Sequence, residues 1–166
     1  MTGRRSRMVT VSTQSDTDQP AAEAWALLVA MVFSQRGHVI DAAAQQELTP
    51  GHAIALINLD PESPRPMREL ASVIRCDASY LTGVVDRLEE LGLVERRPSP
   101  EDRRVKVLVV TEKGKVAHAR LRAAWLDPPP AMLALSPSDQ RALRRVARRL
   151  VGGTDTSGVL PFLRPR

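Results

Sequence analysis

A mainly α-helical fold carrying one small β-hairpin is predicted for this 166-residue chain by three observations. Leu81, Val84, Val85, Leu88 and Leu91 recur at helical spacing between Asp77, placed to cap a helix, and Gly92, placed to stop one. A shorter amphipathic run, Pro66 to Arg75 with Leu70, Ala71 and Ile74 on one side, precedes it, with only Arg75 and Cys76 joining the two. Two helices so closely connected form a helix-turn-helix. Downstream, the β-rich runs Leu93–Arg97 and Val105–Val110 flank Pro98–Arg104, a polar, proline-broken segment that is basic at its tip. Helix, turn, helix and hairpin in that order make a winged helix.

The remaining elements follow from local signals. Residues 1–19 are polar, with basic Arg4, Arg5 and Arg7 and no periodicity, and read as a mobile, untethered arm. One long helix is expected from Pro20 to about Glu47, because Ala21, Trp25, Leu28, Val32 and Val39 step at helical intervals and Met31 and Phe33 widen the stripe. Thr49-Pro50 supplies a cap and a first-turn proline for a helix through Ala53, Ile54, Leu56 and Ile57, which ends before Asp60-Pro61. Residues 62–66 read as a loop, since their prolines fit neither regular structure. Thr111 caps a helix from Glu112 to about Leu126, with Val116, Ala119 or Arg120, Ala123 and Leu126 expected inward, and Asp127–Pro130 stops it. A last helix, Asp139–Val151, sets Leu143, Val146, Ala147 and Leu150 on one face and Arg141, Arg144, Arg145, Arg148 and Arg149 on the other. Gly152-Gly153 ends it. The tail contains Val159, Leu160, Phe162 and Leu163 and is expected to dock on neighbouring helices. The domain reading is therefore an arm (1–19), a helical region from 20–48 and 112–166, and a winged helix-turn-helix over 49–111.

Composition narrows the function classes. An apolar content of 43% is enough for a core, and no apolar run approaches the ~20 residues that cross a bilayer. With no apolar block of a signal peptide, the expected location is the cytoplasm and no membrane partner is expected. The single cysteine agrees with a reducing compartment. A net charge of +5 and a pI near 10.3 favour a polyanionic partner, though a basic soluble surface would give the same numbers. No Gly-rich phosphate loop or nucleophile elbow occurs, so neither an enzyme nor a cofactor is expected. His38, His52 and His118 form no helical pair and join no acid cluster, and read as surface or half-buried side chains rather than metal ligands.

Four fragments fall in register: Leu81-Thr-Gly-Val-Val-Asp-Arg-Leu-Glu89, Gly92-Leu-Val-Glu-Arg96, Glu101-Asp-Arg-Arg104 and Val110-Thr-Glu-Lys-Gly114. With them the sequence resembles the multiple-antibiotic-resistance-regulator (MarR) family of bacterial transcription factors, most strongly over residues 66–118. The resemblance implies a homodimer whose terminal helices intertwine, with a winged helix on each side seated on a pseudo-palindromic operator in double-stranded DNA. It implies a repressor relieved by a small effector, often an aromatic anion, lodged between the dimer helices and the winged helix. The residues themselves also point to a homodimer, because the terminal helices are more apolar than a lone three-helix core can cover.

Ser79 and Thr82 lie near the start of the second helix, where short hydroxyls reach base edges in the major groove and Gly83 permits close backbone approach; solvated helix surface is the alternative. Tyr80 departs from the small or amide residue expected in the family, and its role is open between sugar, phosphate and the protein core. Arg87 reaches phosphate or, with Asp86, forms ion pairs between helix and wing, and the ion pair is the preferred reading. Arg96 and Arg97 read as phosphate clamps or as ordinary strand surface. At the wing tip stand Asp102, Arg103 and Arg104. An arginine there is drawn into the minor groove by its negative potential, with Asp102 expected to orient the guanidinium. The resemblance assigns the inserted side chain to Arg104. Trp25, Phe33, Arg36 and His52 are the candidates to line an effector cleft. Cys76 reads as a packed thiol, since the family's oxidant-sensing cysteines stand in the first helix. The arginine run of 141–149 is ambiguous: a solvated face is the preferred reading and DNA contact the alternative. The competing reading is a sequence-indifferent architectural DNA-binding or scaffold protein.

Overall fold

A computed structural model describes residues 18–152 of the chain, so the arm up to residue 17 and the expected docking of the tail lie outside the described residues. The described residues fall into two compact units that divide between Ser34 and Gln35. The described part of the first is helix α1 (Gln19–Ser34), none of whose residues is buried. Trp25, Leu27, Val32 and Phe33 on it are 58–68% exposed. The single helix expected from Pro20 to Glu47 is therefore two, since α1 ends at Ser34 and α2 (Arg36–Ala44) begins after a turn at Gln35. The Ser34 hydroxyl donates to the Met31 carbonyl at 2.7 Å, a local bond that competes with the helical ladder, and Gly37 follows.

In the second unit α2 is followed by α3 (Pro50–Ile57), β1 (Arg65–Pro66), α4 (Met67–Ile74), α5 (Ala78–Glu90), β2 (Val94–Pro98), β3 (Lys106–Val110), α6 (Glu112–Leu126), α7 (Pro130–Leu133) and α8 (Pro137–Gly152). Thr49 caps α3 as its sequence predicts: the His52 amide donates to its hydroxyl, and the His52 ring accepts from the Thr49 amide at 3.2 Å. The core is built where α3, α4, α5, α6 and the hairpin converge, on Leu56, Ile57, Leu70, Leu81, Val85, Leu88, Leu108 and Leu121. Each such side chain contributes roughly 1.5–3 kcal/mol on burial.

The sheet has three antiparallel strands in the order β1-β3-β2, with Arg65 opposite Leu108 and Arg96 opposite the same Leu108 from the other side. The loop expected over residues 62–66 thus contains a two-residue strand. Pro66 is tolerated because β1 is an edge, where a missing amide need not break a ladder. Arg65 anchors the edge by donating to the Asn58 carbonyl at 3.0 Å.

Helix α6 presents a different face from the one expected. Gly114, Ala117, His118 and Leu121 are buried, while Val116 is 55% and Leu126 39% exposed. The cause is a close approach at Gly114, where a Cβ would stand 1.9 Å from the Leu93 carbonyl oxygen, and this approach sets the rotation of the helix. His118 is buried rather than half-buried. Burial lowers its pKa and Arg122 lowers it further, against the carbonyls of Ile57 and Leu59 and the Asp60 carboxylate, which raise it. The proline stop after α6 contains the single turn α7, and α8 begins at Pro137, two residues before the expected start, with the Ser136 hydroxyl accepting from the Asp139 amide at 3.2 Å. No residue of α8 is buried.

Candidate nucleic-acid interface

The turn between α4 and α5 is made by a non-glycine residue in the left-handed region. Arg75 has φ 53°, and the Cys76 amide reaches back to the Ala71 carbonyl at 3.2 Å. Cys76 is half-buried against the core, and burial foremost, with Asp77 second, raises its thiol pKa. Asp77 stands at the N-cap in extended conformation, but its carboxylate makes no capping hydrogen bond, contrary to expectation; the Leu81 amide bonds to its backbone carbonyl instead. At the other end Gly92 takes φ 68°, as a helix stop requires.

Between these ends α5 buries Leu81, Val84, Val85 and Leu88 and exposes Ser79, Tyr80, Thr82, Gly83 and Asp86. The Thr82 hydroxyl donates to the Ala78 carbonyl at 2.8 Å, so it offers a neighbour its lone pairs and methyl group rather than its proton. A Cβ on Gly83 would meet nothing within 4 Å, leaving the backbone there open to approach. Tyr80 is 54% exposed and leans across α3, where a Cβ on Gly51 would fall 2.2 Å from its hydroxyl oxygen. That atom ends a flexible side chain, so Gly51→Ala is expected to change stability by less than ~1 kcal/mol while turning Tyr80 away from α3. Tyr80 is the sole tyrosine, so its ring resonances read the displacement directly, and unchanged shifts would refute the contact.

The arginines divide by what they touch. Arg96, one of the two clamps considered from sequence, is a strut between β2 and α5. Its guanidinium pairs with Asp86 at 2.7 Å, also meets Glu89, and reaches the Thr82 carbonyl, while its amide donates to Glu89. Arg87 is half-buried and pairs with Glu90 at 3.1 Å and Glu47 at 3.7 Å. Arg97 is exposed and pairs with Glu95 at 2.6 Å. Exposed pairs of this kind contribute only ~0.2–1 kcal/mol and exchange readily for another anion.

The wing loop is held from within. Ser99 donates its amide to the Val105 carbonyl at 2.8 Å, Val105 donates to the Asp102 carbonyl at 2.9 Å, and the Glu101 amide donates to the Ser99 hydroxyl. The Asp102 carboxylate accepts the Arg104 backbone amide at 2.9 Å rather than a guanidinium, so it shapes the turn instead of aiming a side chain. Arg103 and Arg104 are exposed at the tip, and neither has an ion pair among the described residues.

The Val110–Gly114 motif joins the end of α5 to the start of α6. Thr111 accepts the Gly114 amide at 2.9 Å with its hydroxyl oxygen and donates the hydroxyl proton to the Gly92 carbonyl at 2.7 Å. Lys113 donates to the Leu91 carbonyl at 2.7 Å. Sequence reasoning found the cap and the motif but not this latch, whose partners lie about twenty residues away. The four effector candidates stand on α1, α2 and α3. Trp25 and Phe33 are exposed on α1, Arg36 opens α2, and the His52 ring is engaged at the α3 cap with a pKa lowered by burial first and Arg87 second. A groove of about 370 Å³ lies between Gln45, Glu47, Leu91, Lys113, Val116 and Arg120.

Residues 48–106, which hold this interface, match the model of the MarR family. Over that segment the chain is similar to the MarR family. It is 32% identical over 88 residues to the uncharacterized HTH-type transcriptional regulator YpoP of Bacillus subtilis, a match covering 53% of this chain and 62% of that protein. It is 25% identical over 140 residues to the HTH-type transcriptional repressor NicR of Pseudomonas putida, covering 76% of this chain and 89% of NicR. The YpoP match thus spans less than two thirds of that relative's length. Among solved structures, a MarR family protein from Bacillus stearothermophilus superposes with a TM-score of 0.69 at 23% identity, covering 81% of this chain and 95% of the other. The MarR winged-helix fold, mainly helical with its small sheet, is therefore the fold of this chain.

Proposed function

We propose that this chain is a DNA-binding transcription regulator of the MarR family and not an enzyme, acting as a homodimeric repressor on a pseudo-palindromic operator. The observation that carries the reading is the pairing of α5, buried behind and open in front, with a self-braced loop offering two arginines that have no ion pair among the described residues. In this reading Ser79, Thr82 and Gly83 meet base edges in the major groove, Tyr80, Arg87 and Arg97 serve the backbone, and Arg104 enters the adjacent minor groove beside Arg103. Arg87 and Arg97 exchange their exposed carboxylate partners for phosphate. The relatives' roles as a transcriptional regulator and a transcriptional repressor support the assignment.

The apolar, unburied surfaces of α1 and α8 support a dimer built on residues 20–48 and 112–166 around the DNA-binding segment 49–111, since solvent exposure of Trp25, Leu27, Val32, Phe33, Val146 and Leu150 is costly. An aromatic or anionic effector suits the groove beside Lys113 and Arg120, where apolar walls meet two cations. Trp25, Phe33, Arg36 and His52 are the alternative lining.

Competition at fixed salt tests the proposal. A fragment selected from a random library is expected to displace bound DNA at least ~10³-fold better than random duplex. Equal competition would instead establish a sequence-indifferent architectural protein.

A further inference from the structure

We propose that the arginine face of α8 is a second nucleic-acid surface, binding the phosphate backbone of duplex DNA without regard to sequence. The distribution of charge carries this. From Asp77 to Lys106, the segment holding the recognition helix and wing, seven carboxylates face six basic side chains, so that element is slightly acidic by count. Helix α8 alone holds five arginines and one aspartate, nearly the whole of the chain's net charge of +5.

Arg141, Arg144, Arg145, Arg148 and Arg149 are all exposed and have no ion pair among the described residues, and Asp139 is engaged by the Ser136 hydroxyl at 2.6 Å. A solvated helix face ordinarily intersperses both signs, each cation three or four residues from an acid. This one has no acid after Asp139.

The row spans about 12 Å along the helix axis, a length over which duplex DNA presents about seven charges. All five cations are arginine, whose planar fork matches phosphate in a way a lysine does not. A lipid surface fits less well. The apolar row of α8 is Leu143, Val146, Leu150 and Val151, with no tryptophan or phenylalanine in the helix to seat it among headgroups.

The test uses the full chain and a short random-sequence duplex, with affinity followed against salt. Arg144→Gln/Arg145→Gln/Arg148→Gln is expected to lower the slope of log affinity against log salt by about 2–3, near 0.9 for each phosphate left without its cation. The single variants Arg144→Gln and Arg148→Gln should each remove close to one step, so the result survives if the triple variant fails to fold. An unchanged slope in folded variants overturns the proposal. So does loss of sedimentation with anionic phospholipid vesicles while duplex binding stays intact, which would assign the face to a membrane. The readout does not depend on an operator: failure to find a preferred fragment would sink the regulator reading and leave the slope change to be read on its own.

Discussion

Replacing Gly114 by alanine is expected to destabilise the chain by about 3 kcal/mol or more, because the added methyl would sit against a backbone carbonyl that cannot rotate away. The position is also buried and lies in the first turn of α6, with its amide bonded to Thr111. Relief requires α6 to slide off the loop at Leu93, which breaks the bonds from Thr111 to Gly92 and from Lys113 to Leu91 together. For a chain of this size the loss corresponds to a fall of roughly 6–12 °C in melting temperature. Gly37→Ala is the control: it lies within α2, a Cβ there meets nothing within 4 Å, and it is expected to stabilise by ~0.4–1 kcal/mol. Calorimetry of both variants checks the contrast. A Gly114→Ala protein that melts with the parent would mean that the latch is not seated as described.

Arg104→Ala is expected to weaken binding to a selected fragment by ~1–3 kcal/mol, about 5- to 160-fold, with melting temperature and particle size unchanged. Stability is spared because the guanidinium has no ion pair among the described residues and the turn is held by the Arg104 amide, which alanine retains. Asp102→Ala separates the two roles at the wing tip. It removes the acceptor of that amide, so it too should weaken DNA binding, through a loosened loop rather than a missing guanidinium. If Asp102→Ala binds normally, the turn does not need its carboxylate. If Arg104→Ala alters particle size, the wing belongs to a subunit interface instead.

What could be read from sequence was what is local. The stripe from Leu81 to Leu88 declares its buried side by period alone, and the helix caps at Thr49 and Thr111 and the stop at Gly92 are satisfied within a few residues. What could not be read depends on partners brought in by folding. Arg96 looks like any strand-end cation until the hairpin docks it between Asp86 and Glu89. The inward side of α6 departs from its apolar pattern because one glycine approaching Leu93 outweighs the apolar count on the helix. Strand β1 is two residues long and contains a proline, and only its pairing with β3 defines it. At Asp102 the sequence points to the right residue but not to its partner, since amide and guanidinium of the same Arg104 compete for one carboxylate.

The bonds from Thr111 to Gly92 and from Lys113 to Leu91 tie the start of α6 to the C-terminal end of α5. Helix α5 has 13 residues and so is about 20 Å long. Tilting it by about ten degrees about its fixed C-terminal end carries the opposite end about 3.4 Å, one base step along a strand. Under the proposed function, a tilt of this size would shift the exposed face of α5 by one base step while leaving the hydrogen bonds within the wing intact.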